Sequence, residues 1–65
     1  MTGAELRRRR QALCLTQQAL ADRLGVAKMT VWRWEHEQMA IEHPRLLALA
    51  LEALAHRQAQ SVSLP

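Results

Sequence analysis

Phenylalanine and tyrosine are absent from this 65-residue chain, and its aromatic complement is two tryptophans, Trp32 and Trp34. Its core must therefore be assembled from Leu, Ala, Val and Ile, a set that favours helices. The single cysteine, Cys14, excludes an internal disulfide, and no CxxC pair offers zinc spacing. Its thiol is expected to be buried or half-buried in a reducing compartment. His36, His43 and His56 form no i, i+4 pair on one helix, so no metal site is expected. No apolar run approaches the ~18 residues of a membrane helix, and no apolar segment follows the N-terminal charges, which points to the cytoplasm. There is no paired nucleophile and base, no phosphate-binding glycine loop and too little chain for a catalytic cleft. An enzyme, a cofactor and a small-molecule ligand are accordingly not expected.

What the chain does have is positive charge. Nine Lys and Arg oppose six Asp and Glu, giving a net charge of +3 and a sequence pI near 10.5. That balance favours polyanionic partners, with affinity drawn from phosphate neutralisation, although charge alone names no partner. The more specific signal lies between Thr16 and Glu35. Thr16 is placed to cap a helix in which Leu20, Ala21 and Leu24 recur at helical spacing, and Gly25 supplies the positive φ that ends it. Val26 leads into a second helix from Ala27 to Glu35. On a helical wheel Ala27, Val31 and Trp34 point one way, while Lys28, Met29, Trp32, Arg33 and His36 point the other. Two short helices joined by a tight turn, the second presenting cationic donors, form a helix-turn-helix pattern suited to a nucleic-acid groove.

The flanks complete one small domain. Thr2 and Glu5 form a T-x-x-E capping box that starts a helix running to about Leu13. Leu6 and Leu13 share its inner face with Arg10 beside them, a place where a guanidinium is expected to be held by a carboxylate. Arg7 and Arg8 read as a solvated face. Cys14 stands where glycine would end the helix comfortably, and a left-handed conformation there carries strain of about 1 kcal/mol. Leu15 turns back into the core. Residues 36–43 read as a loop anchored by Ile41, with Met39 a weaker candidate. Pro44 then opens a last helix expected to reach Arg57. That helix is apolar on two sides: Leu47, Leu51 and Leu54 form one stripe, Leu46, Leu49 and Ala53 another. One stripe is expected to meet the core and the other a second subunit. Residues 1–57 thus form the domain, and 58–65 are expected to be a flexible tail.

The run Arg10-x4-Leu15-Thr16-Gln17-Gln18-x-Leu20-Ala21-x2-Leu24-Gly25-Val26-x4-Val31-x2-Trp34-Glu35 resembles the DNA-binding domain of the lambda-repressor-like, or XRE, family, which includes phage Cro and repressor proteins. The resemblance covers about Leu6 to Leu54. It implies an all-α fold of four to five helices, with the helix from Ala27 to Glu35 as the recognition helix. It turns Lys28, Met29, Trp32 and Arg33 toward the major groove as the candidate base contacts and sets Gln17 on a backbone phosphate; Gln18 at the same first turn, Thr30 and His36 complete the candidate phosphate contacts. It also pairs Arg10 with Glu35 in an internal salt bridge. Four departures stand out. Cys14 and Glu37 replace frequent glycines, Ala27 replaces a capping hydroxyl, and Trp32 stands where something small, polar or charged is usual. Trp32 has three open roles: contact with sugar and thymine methyl groups, packing on a neighbouring loop, or contact with a protein.

The resulting expectation is a prokaryotic or phage transcriptional repressor, acting as a homodimer on a palindromic operator in double-stranded DNA, with autoregulation as the family implies. The alternative is an antitoxin-like or adaptor module that keeps the helix-turn-helix as a scaffold and binds protein through Trp32 and the leucine-rich helix.

Overall fold

The computed structural model describes the backbone of residues 1–62 and the side chains of residues 1–58. Four helices follow one another: α1 (Gly3–Ala12), α2 (Gln17–Leu24), α3 (Lys28–Glu35) and α4 (Pro44–Val62). There is no strand among the described residues.

The starts of α1 and α2 each have a local cause. The Thr2 hydroxyl accepts from the Glu5 N–H at 3.1 Å, and the Thr16 hydroxyl accepts from the Ala19 N–H at 3.0 Å. Ala27 makes no such bond, as its methyl side chain dictates, and α3 begins without a side-chain cap. The ends of α1, α2 and α3 share one device. Cys14, Gly25 and Glu37 all adopt positive φ, at 58°, 74° and 57°. After each, the next N–H reaches back five residues: Leu15 to Arg10 O at 3.2 Å, Val26 to Ala21 O at 3.0 Å and Gln38 to Arg33 O at 2.8 Å. These are three Schellman closures, and only one of them uses glycine. Cys14 and Glu37 therefore carry backbone strain of about 1 kcal/mol each.

The core sits where the helices converge. Leu6, Leu20, Ala21 and Val31 are fully buried, joined by Leu13, Leu47, Leu51 and Leu54. Leu15, Leu24, Val26, Trp34 and Ile41 pack partly buried against them. Fully burying a Leu or Val side chain contributes roughly 1.5–3 kcal/mol, so this small set supplies most of the cohesion. The inner stripe of α4 is Leu47, Leu51 and Leu54; Leu46 and Leu49 remain 63% and 60% exposed, and Ala53 is exposed with them.

Four expectations are corrected. Cys14 is exposed, because the left-handed turn directs its side chain away from the core. Ala27 is exposed as well, since it precedes the helix whose wheel had placed it inward. Met39 is 37% exposed and lies outside the core cluster, whereas Ile41 packs against it. Finally, α4 does not end at Arg57: it runs on to Val62, and Gln58 donates from its side-chain amide to the Leu13 carbonyl. No glycine or proline interrupts the chain between Pro44 and Pro65, so nothing local stops the helix. Residues 63–65 of the expected tail lie outside the described residues.

Candidate nucleic-acid interface

The candidate surface is built from α2 and α3, and what holds them is a buried polar cluster. Arg10 Nε donates to Glu35 Oε2 at 2.7 Å, and its Nη2 donates to Glu35 Oε1 at 3.2 Å. A third donor, Nη1, reaches the Leu15 carbonyl at 2.8 Å. Glu35 Oε1 also accepts from Gln17 Nε2 at 3.2 Å. The two charged side chains are 12% and 1% exposed, so this is a largely dehydrated, two-point pair in which every nitrogen and oxygen has at least one partner. It joins α1, the turn after it, the first residue of α2 and the last residue of α3 at one place.

A second clamp acts at the other end of α1. A β-carbon built on Gly3 would lie 2.5 Å from the Trp34 carbonyl oxygen and 2.6 Å from that of Glu35. Only glycine permits the first turn of α1 to approach the last turn of α3 so closely. Gly3 N–H also donates to Glu37 Oε1 at 2.7 Å, which places a carboxylate at the positive end of the α1 dipole. Sequence reading alone missed both contacts, because neither a tolerated glycine nor an exposed glutamate announces a partner thirty-odd residues away.

With Val31 and Glu35 turned inward, α3 presents Lys28, Met29, Trp32, Arg33 and His36 to solvent. Met29 is 54% and Trp32 38% exposed, unusual for large apolar groups on a small domain. Thr30 is half-buried, and its N–H bonds the Ala27 carbonyl at 3.0 Å. Trp32 does not stand alone. His36 stacks on it with ring centroids 4.1 Å apart and planes inclined by 18°, and His36 Nδ1 lies 2.9 Å from the Trp32 carbonyl oxygen. On α2, Gln18 is exposed and donates to Asp22 Oδ1 at 2.8 Å, while the half-buried Gln17 is turned toward Glu35.

The structure thus brings Lys28, Met29, Trp32, Arg33 and His36 together on one exposed surface. Gln17 and Gln18 are at the start of the neighbouring helix. The aromatic stack and the bond from Gln17 to Glu35 were not legible beforehand, although the i, i+4 spacing of Trp32 and His36 permits the former. Among the described residues no group of three His, Cys, Asp or Glu side chains could hold a metal ion, and no helix is long and apolar enough to cross a membrane.

A protein-family model described as helix-turn-helix matches residues 6–52, which span α1 to the middle of α4. No curated protein and no solved structure matches the chain.

Proposed function

Because this chain belongs to the lambda-repressor-like (XRE) family of helix-turn-helix domains, which are DNA-binding regulatory domains, we propose that it is a sequence-specific repressor that binds a palindromic operator as a homodimer. The observation that carries this reading is the anchoring of α3 from behind. Val31 and the Arg10–Glu35 pair fix the helix, leaving Lys28, Met29, Trp32 and Arg33 facing outward. A rigid helix with cationic and apolar side chains on its free face matches what a major groove offers.

In this arrangement Arg33 and Lys28 read base edges, guanine being the favoured partner of a two-point arginine, and Met29 and Trp32 add apolar contacts. Gln18, Thr30 and the free N–H groups at the start of α2 face phosphates, and Gln17 joins them by exchanging or sharing its bond to Glu35. The second copy is recruited through Leu46, Leu49 and Ala53, the stripe of α4 that the core leaves uncovered. Two modules about one helical turn apart, roughly 34 Å, multiply a selectivity that one module of this size cannot reach. Repression then follows from occupancy of the operator.

The test is the response of selectivity and salt dependence to two substitutions. Arg33→Ala is expected to weaken binding to the preferred duplex by about 1–3 kcal/mol and to relax preference at one base position. Gln18→Ala is expected to weaken all duplexes alike. An equal loss across all sequences for Arg33→Ala would remove Arg33 from base reading.

A further inference from the structure

We propose that His36 is a positioning residue for Trp32: it holds the indole so that its uncovered face meets the 5-methyl group of a thymine beside the base read by Arg33. This assignment rests on the reading of α3 as a groove-binding helix and adds to it a base preference and the residue that sets it.

The geometry gives His36 a different role from that of a phosphate ligand. A carbonyl oxygen can only accept, so the 2.9 Å contact between His36 Nδ1 and the Trp32 carbonyl places the proton on Nδ1. That bond fixes the imidazole plane. The two residues are one helical turn apart, and the ring so fixed lies against the indole at 4.1 Å and 18°. An exposed tryptophan on a helix ordinarily samples several rotamers, and ordering it on binding costs affinity. Here one face is already covered and the rotamer already chosen before any ligand arrives.

With His36 in place, 38% of Trp32 is still exposed, and this is the area left for a ligand. Its surroundings on α3 are Lys28, Met29 and Arg33, so the site combines cationic donors with two apolar groups. On the floor of the major groove the thymine methyl is the one apolar feature that the base pairs display. A flat, pre-ordered apolar plate beside a guanidinium therefore favours a step that pairs a guanine with a neighbouring thymine. The same plate explains why the chain tolerates a tryptophan at an exposed position: His36 stacks on it in the free protein, and the groove covers more of it in the complex.

The test uses the full chain and a duplex enriched by selection. Each thymine is replaced in turn by uracil, which removes only the methyl group, and binding is measured at two salt concentrations. At one position per half-site, uracil is expected to weaken the unsubstituted protein about three- to fivefold, the order expected for one buried methyl group. Trp32→Ala is expected to abolish that penalty. His36→Ala is expected to reduce it below about twofold with an unchanged salt slope, and His36→Phe, which keeps the stack but lacks the Nδ1 bond and cannot bond a phosphate, to restore it in part. Helical circular dichroism and melting temperature check that all three variants remain folded. Equal uracil penalties in the unsubstituted and Trp32→Ala proteins at every position would overturn the assignment alone. So would a salt slope shallower by about one in His36→Ala with the thymine preference kept, the signature of a lost phosphate contact. Failure to enrich any duplex would overturn the DNA reading and this assignment with it.

Discussion

Glu35 carries more of the structure than its single charge indicates. It is the only buried charged residue in the described part of the chain, and its carboxylate receives two donors from Arg10 and one from Gln17. Glu35→Gln keeps the volume and one acceptor but leaves the guanidinium without a counter-charge in a dehydrated setting. Breaking such a pair from one side is expected to cost about 2–3 kcal/mol, toward the low end for buried pairs because the amide oxygen still accepts. For a domain of this size that lowers the melting temperature by roughly 10–20 °C. An unchanged thermal midpoint would show that the pair adds nothing to stability. The Arg10–Glu35 partnership was readable in advance from the place of Arg10 beside the apolar stripe and from the family pattern. Gln17 was not, because a glutamine at a helix start faces phosphate and carboxylate with equal chemistry, and only the folded geometry says which one it meets in the free protein.

At the level of the element, the helix ends decide the shape. Three successive Schellman closures aim α1, α2 and α3 at one another, and two of them are made against the preference of their residue. Their energetic situations differ. Cys14 is exposed and its side chain makes no contact that repays its positive φ, so Cys14→Gly is expected to stabilise the fold by about 0.5–1 kcal/mol, read as a higher urea midpoint at constant slope. Glu37 has the same conformation, but its carboxylate bonds Gly3 N–H at 2.7 Å. A charged hydrogen bond of this kind is worth about 1.5–3 kcal/mol, more than the strain it offsets, so Glu37→Gly is expected to destabilise. Equal gains for both substitutions would mean that the Glu37 bond contributes nothing. Residue spacing predicted the starts of α1 and α2 and the closure at Gly25 well, because Thr2, Thr16 and Gly25 act within a few residues of themselves. The end of α4 was placed too early because the polar residues after Arg57 were read as the end of the pattern. Polarity alone does not stop a helix, and Gln58 finds its partner in Leu13 on α1.

For the molecule as a whole, the unresolved choice between two leucine stripes on α4 has an answer in burial. Leu47, Leu51 and Leu54 complete the core, and Leu46 and Leu49 stay more than half exposed, Leu46 lining an apolar groove of about 480 Å³ with Met39, Ile41 and Trp34. Sequence periodicity gave both stripes equal standing, since each satisfies helical spacing, and only the packing of Leu47, Leu51 and Leu54 against the core residues of the other helices decides which is covered. Leu46→Glu with Leu49→Glu is expected to shift sedimentation from dimer to monomer, leave the helical signal intact and weaken operator binding more than tenfold. A sedimentation coefficient indifferent to the double change would place the subunit contact elsewhere or remove it.

Selection of bound sequences from a random duplex library, at one fixed near-physiological salt concentration, bears most directly on whether this domain reads DNA as a symmetric pair. The predicted result is a two-fold symmetric motif with half-sites about one helical turn apart, roughly 34 Å, each containing a guanine whose preference disappears in Arg33→Ala. A library that emerges without enrichment would contradict it, leaving the helix-turn-helix as a scaffold whose exposed Trp32 and α4 leucines serve a protein partner.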